Sequence, residues 1–363
     1  MPSASGGPHE SHRQPEGSPV TESIAQLSPP DSSPVVVETA DPGWQGRLVR
    51  VLRGTGPIFV ILVVLLVLIS LKNPNFAKPS VFLAFFKAAA PLAILAAGQL
   101  FVIVSGEIDL SVGSLITVVV TSAALMIAGD PALALPVIGA LFGIGILVGL
   151  INGVVTTRLG APSFIATLGM LLVLRGGTLY LTGGSPRGAL TENFRAFGRG
   201  NIDGVPLIGQ VPISVVILLI VGIVAWSLLH RTNFGQQLVA TGGNSKAAQL
   251  SGIDIKGVRT VAFILSGVSA VIAGILLGGF AGVSAQVGQT YEFQAISAAV
   301  LGGAVLGGGR GSITTTIAGA LTLQALFTLL NLHGFPTPIR DAIQGLIIIG
   351  AVAFASYRLR GAG

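Results

Sequence analysis

From residue 57 onward the chain alternates long apolar runs with short polar interruptions. Runs long enough to cross the ~30 Å hydrocarbon core of a bilayer lie near 57–72, 81–104, 111–128, 133–156, 162–182, 211–230, 258–279, 291–306, 312–331 and 338–357. The pattern predicts an all-α polytopic membrane protein with about ten transmembrane helices. The third and eighth runs are short for the task. Two polar interruptions are long, at 183–210 and 231–257.

Residues 1–42 contain no apolar run and are rich in Ser, Pro and acidic side chains. They read as a disordered cytoplasmic tail without a secretory leader pattern. Residues 43–54 follow as an interfacial helix, with Trp44, Leu48, Val51 and Leu52 on one face and Arg47, Arg50 and Arg53 on the other. The transmembrane domain then occupies 55–360.

Lys and Arg set the orientation, because cytoplasmic loops carry the excess. With the N-terminus inside, the inner side holds Arg47, Arg50, Arg53, Arg158, Arg231, Lys246, Lys256, Arg259, Arg310, Arg358 and Arg360. The outer side holds Lys72, Lys78, Arg187, Arg195, Arg199 and Arg340. This predicts both termini and the 231–257 loop in the cytoplasm, and the 183–210 loop outside.

The 231–257 loop contains FGQQLVATGGNSKAAQLSGI (234–253). Asn244 suits an N-cap and Gly252 a C′ position, predicting a helix over 244–251. Two turns fall well below the ~12–15 residues an isolated helix needs in water. The helix therefore expects a surface to pack against, and a cytoplasmic loop points to a soluble partner.

Composition agrees with the hydrophobic pattern. Apolar residues make up 51% of the chain and charged residues 9%, against about a quarter charged in soluble domains. There is no cysteine, which excludes disulfides and thiolate metal sites. The formal charge of +6 is spread over loops, so it does not make a nucleic-acid surface. Glycine is abundant and recurs four apart at Gly139/Gly143, Gly145/Gly149/Gly153 and Gly274/Gly278/Gly282, the spacing that lets membrane helices approach closely.

The sequence offers little chemistry. The carboxylates fall in the tail, in loops or at span ends, Glu107, Asp109 and Glu292 among them. A proton-driven carrier needs a titratable group at depth, and the pattern predicts none there. GGGRGS (307–312) lacks the lysine of a phosphate-binding loop. No catalytic grouping, metal cluster or cofactor motif is present, so an energy source is expected on another chain. Gln99, Asn152, Thr167 and Gln294 are polar at depth, and Lys87 and Arg175 are basic within spans. A neutral, hydroxyl-rich solute suits the four neutral polar residues, and interhelical hydrogen bonding accounts for them equally well. Lys87 and Arg175, toward the outer side, read first as snorkelling to the interface and second as a role at the pore mouth. SVGSLIT (111–117) and GRGSITTT (309–316) echo one another as a weak sign of duplication.

Four stretches, SGEIDLSVGSL (105–115), PSFIATLGMLLVLRG (162–176), ATGGNSKAAQLSGI (240–253) and ISAAVLGGAVLGGGRGSI (296–313), resemble the permeases of bacterial ABC-type monosaccharide importers of the ribose-transport group. The resemblance covers about residues 55–357. It implies a multi-pass subunit of the bacterial plasma membrane that is not itself an enzyme. Its implied partners are cytoplasmic ATPase subunits, a second permease (commonly an identical copy) and an extracytoplasmic sugar-binding protein. On that resemblance Gly242, Gly243, Asn244, Ala247, Ala248, Leu250, Ser251 and Gly252 form the helix that couples to the ATPase. Glu107, Asp109, Gly309 and Arg310 lie at the cytoplasmic gate, and Gln99, Asn152, Thr167, Arg175 and Gln294 are candidates for the path. Glu107 stands where the group's motif, GGIDLSVGS, usually has glycine. The same architecture also serves other small solutes, including nucleosides and amino acids, and an ion-coupled carrier is the reading from a different class.

Overall fold

A computed structural model describes residues 56–350 apart from 207, 208, 337, 341 and 348. The expected tail, the interfacial helix of 43–54 and both termini lie outside the described residues. The helices are α1 (Gly56–Lys72), α2 (Pro79–Val104), α3 (Val112–Ile127), α4 (Ala134–Thr157), α5 (Ser163–Thr182), α6 (Glu192–Arg199), α7 (Ile213–Arg231), α8 (Asn233–Gly243), α9 (Ser245–Leu250), α10 (Ile255–Ala281), α11 (Tyr291–Leu301) and α12 (Ile313–Leu332). Residues 338–340, 342–347 and 349–350, from the last predicted span, are also helical. Among the described residues, α2, α4, α5, α7, α10 and α12 are long and apolar enough to cross a membrane, whereas α1 and α3 are apolar but shorter.

The bundle is built around α10. Its 27 residues span about 40 Å at 1.5 Å per residue, and Ala262, Phe263, Ala270, Val271 and Leu276 on it are buried. Between membrane helices close packing, rather than exclusion of water, supplies the attraction. Gly149 and Gly153 of α4 provide it here. A methyl group at Gly149 would lie 2.7 Å from Ile264 Cα, and one at Gly153 2.8 Å from Thr260 Cα. Gly139 and Gly143 meet nothing, so the spacing rule holds for only part of the expected set.

Three departures from the sequence reading matter. The 183–210 interruption is not plain loop: it folds into α6 and most of an antiparallel hairpin of β1 (Asn201–Val205) and β2 (Gly209–Pro212), so the fold is not wholly helical. Phe194 of α6 is fully buried, and Gly198 of α6 lies against Gly279 of α10. Secondly, the polar stretch after α7 holds a whole further helix, α8, capped by Thr232, whose Oγ1 accepts from the Gly235 N–H at 3.3 Å. Thirdly, the run at 291–306 is helical only to Leu301. Gly303 then turns with φ +87°, and residues 302–311 form a glycine-rich loop.

Helix α11 has 11 residues, about 16 Å and half of a bilayer core. Its first turn meets the first turn of another short helix, α3. The Gly288 N–H donates to Thr117 Oγ1 at 3.1 Å, and a methyl group at Gly113 would collide with the Glu292 carboxylate. Two helices too short for a full crossing, α3 and α11, thus meet inside the bundle.

Candidate functional site

Helix α9 forms as its sequence predicts. Asn244 is extended (φ −156°, ψ 96°), and its Oδ1 accepts from the Ala247 N–H at 3.0 Å. This satisfies one of the free donors of the first turn. Gly252 reverses the chain at φ +84°. Ala248 is buried and Leu250 is 87% exposed, so α9 rests on the chain by one small side chain and presents a large apolar one outward.

Beneath α9 three backbones cross at glycines. Gly242, next to last in α8, packs on the end of α2: a methyl group there would collide with the Val104 carbonyl oxygen and lie 2.5 Å from the Gly309 nitrogen. Gly308 and Gly309 have φ of +89° and +76°, a region that favours glycine. A methyl group on Gly308 would stand 2.8 Å from Gly106 Cα and 2.9 Å from Gly242 Cα. The Gly309 N–H donates to the Val104 carbonyl at 2.8 Å. The helix pair α8–α9, the end of α2 and the 302–311 loop therefore touch backbone to backbone, with no side chain between them to absorb a displacement. Arg310 is exposed beside this crossing.

An ion pair braces the same end. Arg259 Nη1 in the second turn of α10 lies 2.9 Å from Glu107 Oε1, and its Nε donates to the Ser105 carbonyl at 3.3 Å. Both side chains are largely covered, at 24% and 14% exposure.

The 105–111 turn then dives between the helices. Asp109 is buried, and its Oδ1 accepts from the Ser111 N–H at 2.9 Å and from Ser111 Oγ at 2.7 Å. Its Oδ2 accepts from Ser266 Oγ of α10 at 2.9 Å. Asn152 of α4 donates from Nδ2 to Ser111 Oγ at 2.9 Å, and Gln99 Oε1 of α2 stands 3.5 Å from Ser266 Oγ. Thr167 Oγ1 of α5 donates to the Ser163 carbonyl of its own helix at 2.8 Å and lies 3.3 Å from the Ile108 carbonyl of the same turn. Gln99 Nε2 is buried without a partner, one donor short of a closed network.

A second polar spot lies where α3 and α11 meet. A chamber of about 60 Å³ is lined by Ser114, Thr117, Arg175, Gln286, Gln289 and Glu292, among others. Glu292 is 7% exposed, and Arg175 of α5 lines the same chamber.

The expectations for the polar residues therefore divide. Gln99, Asn152 and Thr167 converge on the Asp109 turn, Arg175 belongs to the second spot, and Gln294 bonds locally to Thr290 Oγ1 at 3.2 Å. They do not line one continuous channel in this conformation. The carboxylates Asp109 and Glu292 stand at element boundaries, as expected, yet both are buried, because the turn at 105–111 and the start of α11 are set inside the helices. Lys87, expected to snorkel toward the outer side, donates to the Arg199 carbonyl of α6 at 2.7 Å. Sequence reasoning missed Ser111, Ser266 and Arg259. The Asp-x-Ser spacing was a legible signal for Ser111, whereas Ser266 and Arg259 had none.

Six helices long and apolar enough to cross a membrane, packed around buried polar groups, define the chain as a multi-pass membrane protein. Residues 81–352 match the family described as "Branched-chain amino acid transport system / permease component", and the chain belongs to that family. It is 37% identical over 307 residues to the ribose import permease protein RbsC of Bacillus subtilis, covering 83% of this chain and 92% of that protein. It is 38% identical over 295 residues to RbsC of Escherichia coli K12 (81% and 91% covered). The autoinducer 2 import system permease protein LsrC of Yersinia pestis is 33% identical over 301 residues (82% and 84% covered). No solved structure matches. The protein is a permease subunit of an ABC importer in the inner membrane and not itself an enzyme, and such a subunit works with ATPase and substrate-binding partners.

Proposed function

We propose that this chain is the membrane path for a small neutral sugar, ribose or a related monosaccharide, worked by ATP hydrolysed on cytoplasmic partner subunits. The observation that carries the mechanism is the seating of α9. A two-turn helix with Leu250 87% exposed hangs from Gly242 and Gly243 directly over the glycine crossing. Residues 242–244, 247, 248 and 250–252 form the element that docks on the ATPase. When the ATPase closes on nucleotide, α9 is pulled and α8 carries the displacement through Gly242 to the end of α2 and to the Gly308–Gly309 loop. The free energy comes from α9 contacting the ATPase differently in its two states. Glu107, Asp109, Gly309 and Arg310 belong to the gate at this end, with the Asp109 network fixing the 105–111 turn to α10.

The finer arrangement is part of the same proposal: about ten passes, both termini in the cytoplasm, a second and identical permease beside the first, and a sugar-binding protein delivering solute to the hairpin side. ATP stays on the partner, and this chain needs no cofactor. The likeness to RbsC supports the sugar, and the likeness to LsrC supports a second reading in which a furanose-like signalling molecule is carried instead.

Reconstitution tests the proposal. Vesicles holding the permease, its ATPase and the binding protein take up D-ribose only when ATP is supplied, and vesicles with the permease alone take up none. Uptake by the permease alone along an ion or solute gradient overturns it.

A further inference from the structure

The chamber between α3, α5 and α11 is more polar than packing requires. Arg175 is the thirteenth of the 20 residues of α5, about 10 Å inside its C-terminal end. A charge at such a depth costs several kcal/mol unless it is paired or hydrated, and it marks a solute pathway by default. The side chain is exposed rather than folded back into the chain. On the same helix Gly169, Gly176 and Gly177 have no atom near where a side chain would stand. Arg175 thus opens toward a face that this chain does not cover.

Across the chamber, Glu292 is 7% exposed in the first turn of α11 and lies against Gly113 at the start of α3. Ser114, Thr117, Gln286 and Gln289 line the chamber with the two charges. Hydroxyls and amides both donate and accept, a carboxylate accepts, and a guanidinium donates. The opposite charges leave no strong preference for an anion or a cation. What suits this set is a molecule carrying several hydroxyl groups and no charge.

The chamber also connects to the α9 end. Helix α11 is a rod of about 16 Å whose start forms the chamber wall and whose end, at Leu301, runs into the 302–311 loop. That loop carries Gly308 and Gly309, which press on Gly242. A shift at the crossing therefore reaches Glu292 through one short helix.

We propose that this chamber is the waypoint of the solute inside the membrane, where a neutral polyhydroxylated molecule exchanges hydrogen bonds with Glu292 and Arg175 while α11 moves. This rests on the sugar-import reading above. The present volume of about 60 Å³ has room for water but not for a monosaccharide, so the chamber stands closed in this conformation. It opens when α11 withdraws from α5.

The absence of cysteine allows a clean test in vesicles containing permease, ATPase and binding protein. Gln289→Cys is expected to react with a membrane-impermeant thiosulfonate at least about tenfold faster in one nucleotide state than in the other, and saturating D-ribose slows that reaction several-fold. Gly139→Cys, on an open outer position of α4, shows neither effect. The same Gln289→Cys vesicles are assayed for ribose uptake. Uptake with labelling indifferent to ribose in every nucleotide state overturns the chamber while leaving the import reading intact. Native-chain vesicles that take up no ribose overturn the import reading itself. A second variant, Glu292→Gln, keeps the shape of the side chain. It is expected to reduce uptake more than tenfold with ATP hydrolysis by the assembled complex within about twofold of native, and native uptake in this variant overturns the proposal.

Discussion

Arg259 and Glu107 are joined by an ion pair of 2.9 Å that ties the second turn of α10 to the turn following α2. Glu107 is the position where the sequence motif usually has glycine, and its acid finds its partner on the bundle's central helix. The pair is mostly covered, so removing one member costs about 1–3 kcal/mol, between the exposed and buried cases. Glu107→Gln and Arg259→Ala should each lower the thermal unfolding midpoint in detergent. The charge-swapped double variant should recover part of the loss, and a double-mutant cycle measures how much.

Gly242 and Gly243 are neighbours with opposite surroundings. A methyl group at 242 collides with the Val104 carbonyl, whereas one at 243 meets nothing. Gly242→Ala is expected to lower the thermal unfolding midpoint in detergent and to abolish ATP-driven uptake, whereas Gly243→Ala should unfold at the native temperature because its methyl group meets nothing within this chain. Thermal scans of the two variants, with uptake assays of Gly242→Ala at matched expression, check this.

Asp109 accepts three hydrogen bonds within the bundle. Asp109→Leu leaves the Ser111 and Ser266 donors without an acceptor, at about 1–3 kcal/mol for each buried group left unpaired. Asp109→Asn keeps an acceptor oxygen toward Ser111 and offers Ser266 a donor. The leucine variant should be expressed poorly or unfold early on heating, and the asparagine variant should remain close to native in the same scan.

Much of this was legible in the sequence, for physical reasons that differ from element to element. Lipid forces long apolar runs, so α2, α4, α5, α7, α10 and α12 read directly from hydropathy. Asn244 and Gly252 announced α9 because capping is local chemistry. The α6 helix and the β1–β2 hairpin escaped because a short amphipathic stretch such as Glu192–Arg199 gains its stability from docking Phe194 and Gly198 on α10, which no local pattern records. The end of α11 at Leu301 was hidden because the following Gly302, Gly303 and Ala304 are apolar enough to prolong the run. Burial of Asp109 and Glu292 was hidden because position at a span end does not give depth when the span itself begins inside the bundle.

Leu250 is 87% exposed, so its loss leaves the fold unchanged. Leu250→Asp should unfold at the native temperature while its affinity for the ATPase subunit falls at least about tenfold in a pull-down from mild detergent. Equal losses of stability and affinity would mean that α9 is held by the permease rather than by its partner.

The central claim is that the force acting on this chain enters through α9. In a chain without cysteine, Leu250→Cys carrying a short photo-crosslinker reports what touches that helix in the assembled transporter, and Asp203→Cys on the hairpin reports the opposite end. Capture of the ATPase subunit from position 250, with a yield that changes on ATP binding, is the expected result, together with none from position 203. Capture of the ATPase from the hairpin instead, or from neither site in an active preparation, contradicts it.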